Sequence, residues 1–124
     1  MDYQSPAQEL EHFLNFIDSC TDEYRLACDI VNEEDRRLQD LLHEMEFAED
    51  RAERNRTATR LQHSRQFRRQ NKNIVKRDEQ IVKFFEDQNN RSVLNRLRQL
   101  LGKQRKEEDY LNGEKVYKPR VEKR

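Results

Sequence analysis

The chain has 124 residues, of which 40% are charged and only 33% apolar, and its 25 cations are balanced by 25 acids. Glycine and proline occur only at Pro6, Gly102, Gly113 and Pro119. Sandwiches and barrels need turn residues about every 8–12 positions, so an uninterrupted span over 7–101 excludes them. No GxGxxG or GxxxxGK[ST] run is present, which removes the dinucleotide and P-loop folds. No stretch approaches the ~18 apolar residues of a membrane span, and Met1-Asp2-Tyr3 does not open a secretory leader. Cys20 and Cys28, eight apart, suit no zinc or redox motif. They read as reduced thiols of a cytoplasmic protein.

The balanced charge hides a split. Residues 1–50 carry three cations against fifteen acids, and residues 51–124 carry 22 against ten. The stretch Arg51–Arg77 has ten cations and one acid, Glu53. Two readings are compatible. An acidic helix lies antiparallel to a basic one, or part of the basic face is left over as an anion site.

The predicted elements are all helical. Ser5-Pro6-Ala7-Gln8 is a helix start, with Ser5 as cap, Pro6 in the first turn and Gln8 closing a capping box. Helix 1 is expected over 5–48, with a possible kink near 20 because Thr21 and Asp22 are plausible new caps. Its apolar stripe runs through Leu10, Phe13, Leu14 and Ile17 to Leu41, Leu42 and Met45. The chain is expected to reverse over Asp50–Asn55. Helix 2 is expected over 56–87, with Leu61, Phe67, Ile74, Ile81 and Phe85 on its seam. Between Leu61 and Ile74 apolar residues are scarce, so that segment meets polar partners or lines a wet groove. After an interruption at Asp87–Ser92, helix 3 is expected over 91–106. A turn at Asn112-Gly113 and an extended tail complete 107–124.

A first helix of this length measures ~60 Å, whereas a compact chain of this size has a radius of gyration near ~14 Å. The expected architecture is therefore all-α. Long antiparallel helices form one domain, 1–124, and interlock as a homo-oligomer with a dimer as the minimum.

Little in the chain supports catalysis. His12, His43 and His63 are scattered, and a single His43/Glu46 pair is not a di-iron pattern. No nucleophile motif is present. The expectation is no enzyme, no metal and no cofactor. Arg65-Gln66-Phe67-Arg68-Arg69-Gln70 would attract phosphates, but the acidic first half argues against a large nucleic-acid footprint. A small anionic ligand fits better, since it needs arginines for phosphate, an aromatic for a base and amides for polar edges. The adjacent Phe84 and Phe85 allow one ring to pack and the other to face a pocket. Asn89, Asn90 and Asn95 follow, and Arg120 and Arg124 sit on a tail able to fold over such a pocket. The plainer readings are core packing for Phe85, turn chemistry for Asn89 and Asn90, a partly buried contact for Asn95 and a frayed end for Arg124.

The helix Val93-Leu94-Asn95-Arg96-Leu97-Arg98-Gln99-Leu100-Leu101-Gly102 and the closing Tyr117-Lys118-Pro119-Arg120-Val121-Glu122-Lys123-Arg124 resemble those of the first-described Thoeris anti-defence family. These are phage proteins that act as sponges for an immune signal. The resemblance implies binding and sequestration, without degradation, of a cyclic ADP-ribose-type signalling nucleotide. Cyclic oligonucleotides are implied as further ligands at separate sites. It implies pockets at a dimer interface in the bacterial host cytoplasm. It assigns ligand-binding roles to Phe85, Asn95, Arg120 and Arg124, and a second-site role to Arg25. The alternative from the residues alone is a helical phage protein whose charged helices bind a protein partner or nucleic acid.

Overall fold

The computed structural model describes residues 4–113 and Val121. It contains three helices, α1 (Pro6–Glu46), α2 (Arg51–Glu86) and α3 (Gln88–Asn112), and no strand among the described residues. None of them is long and apolar enough to cross a membrane.

The ends of each helix follow from local chemistry. The capping box at Ser5 is formed: the Gln8 N–H donates to Ser5 Oγ at 3.2 Å, and the Ser5 N–H donates to Gln8 Oε1 at 2.9 Å. α1 runs through residue 20 without a break. The Thr21 hydroxyl donates to the Ile17 carbonyl one turn back at 3.1 Å, so it serves the helix interior rather than capping a new one. The reversal lies upstream of the expected position. Asp50 caps α2 by accepting the Glu53 N–H at 2.7 Å, and Asn55 is already inside the helix. Nothing in 51–56 breaks a helix, and Asp50 with Glu53 in the first turn favours a start there.

The second interruption shrinks to one residue. Asp87 (φ −57°, ψ 132°) leaves the helical region and accepts the Asn89 N–H at 3.0 Å. Carbonyls released at the end of α2 are taken up locally. Asn90 Nδ2 donates to the Phe84 carbonyl at 2.8 Å and Arg91 Nη2 to that of Glu86 at 3.3 Å. α3 continues to Asn112, past the expected end at 106, and Glu107-Glu108-Asp109 is helical rather than part of a turn. Gly102 is tolerated inside it because a glycine costs a helix only about 1 kcal/mol. The rest of the expected extended tail lies outside the described residues.

Both α2 and α3 run antiparallel to α1, and opposite charges tie them to it. Glu44–Arg60 (2.8 Å), Asp35–Arg68 (2.6 Å) and Glu23–Arg77 (2.7 Å) join α1 to α2. Asp18–Arg98 (2.9 Å) and Glu11–Arg105 (2.7 Å) join α1 to α3. Glu108 of α3 accepts the Ala7 N–H at 2.9 Å and so caps the start of α1 from outside.

The α1–α2 seam keeps a seven-residue repeat. On α2, Thr57, Ser64, Asn71 and Asp78 are buried at every seventh position. Cys20, Ala27, Glu34 and Leu41 do the same on α1. Five of these eight seam positions are polar or charged. The largest apolar cluster lies at the other end, where α3 joins. There Ala7, Leu14, Ile17, Leu94 and Leu101 are buried together, with Leu10, Ile81, Phe85 and Leu97 packed against them.

Candidate ligand cleft

Where α3 leaves α2 and settles on α1, the three helices enclose a cleft of about 550 Å³. Its floor is apolar: Ile17 from α1, Val82 and Phe85 from α2, and Leu94 from α3. Its rim carries Asp18, Asp22 and Arg25 from α1, Glu86 from α2, and Arg91, Asn95 and Arg98 from α3. The volume lies within the range of small-ligand pockets.

Two of the expected site residues, Phe85 and Asn95, meet here, and Arg25, expected at a separate second site, borders this same cleft instead. Arg120 and Arg124 lie outside the described residues. The two phenylalanines are placed differently: Phe85 alone borders this cleft, and both border a shallow apolar depression with Phe16 and Ile81. Phe85 is half-buried, packs on the apolar cluster and also borders the cleft. Phe84 meets Phe85 edge-on, with centroids 5.0 Å apart at 89°, and turns away so that it is 58% exposed. Asn90 is committed to the α2 end, which is the turn chemistry its sequence context allows.

The rim has a built polarity. Arg98 is held by Asp18 at 2.9 Å and donates to Asn95 Oδ1 at 3.0 Å. A guanidinium only donates, so the Asn95 carbonyl is spoken for and its NH₂ group remains for a ligand acceptor. Arg91 spends one nitrogen on the Glu86 carbonyl. Arg25 makes no ion pair among the described residues. Three cations and three carboxylates share the rim, so its charge is balanced rather than strongly positive.

Thr21, Asp22, Arg91 and Arg98 were not identified as site residues from sequence. Thr21, Asp22 and Arg25 share one face of α1 with Asp18, at spacings of three and four. That face became meaningful only once α3 covered it.

A second groove of about 610 Å³ runs along the middle of the α1–α2 pair, beside the apolar-poor Leu61–Ile74 stretch. It includes Arg37, His63, Phe67 and Gln70. Ser64 donates its hydroxyl to Glu34, which is only 4% exposed, and Arg37 stands 3.7 Å from the same carboxylate. Elsewhere, His43 packs edge-on against Phe47 at 4.7 Å. Burial, then the Asp78 and Glu23 carboxylates, push the Cys20 thiol up, which keeps it protonated and unreactive. Among the described residues no three His, Cys, Asp or Glu side chains gather as a metal site requires.

Compared with known protein families, curated proteins and solved structures, the chain matches none of them.

Proposed function

We propose that this chain binds and sequesters a cyclic ADP-ribose-type signalling nucleotide, without degrading it, as an anti-defence protein of a phage or prophage. The observation that carries the reading is the convergence of Phe85, Asn95 and Arg25 on one cleft of nucleotide size. Phe85 offers a ring edge to a base, the Asn95 amide offers donors to ring nitrogens or ribose oxygens, and Arg25 and Arg91 offer guanidinium forks to a pyrophosphate. The balanced rim charge leaves room for the tail arginines Arg120 and Arg124 to supply the rest of the phosphate contact. Sequestration asks only for affinity and slow release, and no nucleophile, general base or metal takes part.

The proposal includes a homo-oligomer. Phe13 (43% exposed), Phe16 (51%) and Phe84 leave apolar surface on the face away from the cleft, with Ile81 between them. A second copy would bury it.

A thermal-shift panel tests the reading. The panel contains cyclic ADP-ribose isomers, cyclic di- and trinucleotides, NAD and ADP-ribose. The expected result is a stabilisation by a cyclic nucleotide that is recovered intact after heating. No shift with any of them overturns the proposal, and recovery of a cleaved ligand replaces sequestration with hydrolysis.

A further inference from the structure

Nine of the eleven cations of α2 divide into two sets; Arg56, on another face, and Lys83, paired with Glu79, belong to neither. Arg60, Arg68 and Arg77 turn to α1 and are paired with its acids. Arg51, Arg54, Arg65, Arg69, Lys72 and Lys76 make no ion pair among the described residues. At 3.6 residues per turn these six fall within an arc of about 60° on one flank of α2. The line extends over about 37 Å at 1.5 Å per residue. No carboxylate of α2 lies on that arc, since Glu53 points elsewhere and the next acid is Asp78. All but the half-buried Lys72 are exposed.

We infer that this stripe binds the phosphate backbone of nucleic acid without reading its sequence. The acidic helix pairs with the basic one through the cations nearest the seam and leaves part of the basic face over, so both readings of the charge split hold together. Arg51, Arg54, Arg65, Arg69, Lys72 and Lys76 form a straight row, in which Glu79 lies near Lys72 at one end. Its composition argues for a polyanion over a protein partner. Protein interfaces depend on aromatic or large apolar anchors, and between Arg51 and Lys76 this arc holds only Ala58 besides its cations, with Gln62 and the half-buried Leu61 at its two edges. The exposed aromatics Phe67 and Phe84 lie on the other flank. The exposed acids of α1, Asp29 and Asp40 among them, are what a second copy would bring to the stripe. Exposed ion pairs between two such helices are worth about 0–1 kcal/mol each. A nucleic acid instead releases condensed counterions for every phosphate neutralised, and that release drives association. Contacts made to phosphate in this way carry no sequence information.

The inference is independent of the ligand cleft, because none of the six residues borders it. The test is fluorescence anisotropy with a labelled 20-nucleotide poly-dT strand and a labelled 20-base-pair duplex, titrated with the full chain at 50 and 200 mM salt. With all six cations engaged, affinity falls roughly 300-fold for the single strand and roughly 2,000-fold for the duplex between those conditions. Changing the six to glutamine, a good helix former, removes binding while helical circular dichroism persists. Should that variant lose its helix, the pairs Arg51→Gln with Arg54→Gln and Arg65→Gln with Arg69→Gln are each expected to lower the salt slope by between one and two. The sixfold variant keeps any thermal shift given by a cyclic nucleotide, so failure here and failure of the cleft reading are told apart. Absence of binding at 50 mM salt overturns the inference, and so does binding that the sixfold variant retains. Salt-sensitive self-association in sedimentation, abolished in the variant and without nucleic-acid binding, assigns the stripe to a second copy and also overturns it.

Discussion

The two ends of this molecule are built on different physics. Where three helices meet, buried Leu14, Ile17, Leu94 and Leu101 form an apolar cluster, and the cleft opens beside it. Towards the Phe47–Asp50 reversal only two helices pack, and their contact layer includes Thr57, Ser64, Asn71 and Glu34. Burial of carbon supplies most of the favourable energy of folding, whereas a satisfied buried polar pair contributes little beyond avoiding its own penalty. The three-helix end therefore carries stability. The two-helix end carries register, because sliding the seam would separate Glu34 from Ser64.

The sharpest way to break that contrast is to cut into each end in turn. Leu14→Ala and Leu41→Ala remove the same atoms from the two ends, each at a cost of about 2–5 kcal/mol read from urea denaturation midpoints, with the larger loss expected at Leu14. Equal losses would dissolve the distinction. Next in size is Ser64→Ala, which strands the Glu34 carboxylate with a single distant guanidinium and should cost about 1–3 kcal/mol. Adding Glu34→Leu to it should recover the loss, since an apolar replacement of a buried polar pair is neutral or stabilising. A double variant less stable than Ser64→Ala alone would show that the pair itself stabilises the fold.

At the cleft, Asn95→Asp replaces the free amide donors by an oxygen and is expected to weaken nucleotide binding about tenfold with little change in melting temperature. Arg120→Ala and Arg124→Ala should each weaken binding by a similar factor without altering oligomeric state in sedimentation. Unchanged affinity in both tail variants would remove those residues from the site. The smallest effect is one of pH. Hydrogen bonding from Arg77 holds the Asp78 carboxyl below its ordinary 3.8 despite burial, which pushes the other way. The folded state thus binds its proton later than the unfolded chain. The stability this adds is complete above the ordinary value and is lost as pH falls through the folded one. Because the Arg77 side chain is 61% exposed, the loss is modest, and Arg77→Gln should flatten the melting-temperature profile between about pH 5 and pH 2.

Much of this was readable from residue order, and the remainder was hidden for identifiable reasons. The capping box at Ser5, the antiparallel pairing of an acidic with a basic helix, and the half-buried Phe85 all follow from short-range patterns. The seam was harder. A search for apolar periodicity selects Phe13 and Leu42, which are largely exposed, and passes over Cys20, Ala27 and Glu34, which are buried. Small and polar residues at seven-residue spacing give no hydrophobic signal. The reversal shifted because Asp50 caps from its side chain, which composition alone does not register. Glu108 stands in a run of three acids that carries no capping pattern, yet it caps α1 from across the bundle. Arg98 and Asp18 are eighty residues apart, and only the fold reveals that together they orient Asn95.

The bond from the Ala7 N–H to Glu108 spans 101 residues of chain. Its wider meaning concerns timing. The contacts nearest the reversal form early but are weakly rewarded, while the apolar cluster unites the first twenty residues with those around 94–101. Closing so long a loop is an entropic barrier that local helix formation does not lower. On the ribosome, the apolar end of the first helix must wait for residues 94–101 to emerge before it finds its partners, and that waiting helix is what a chaperone would meet.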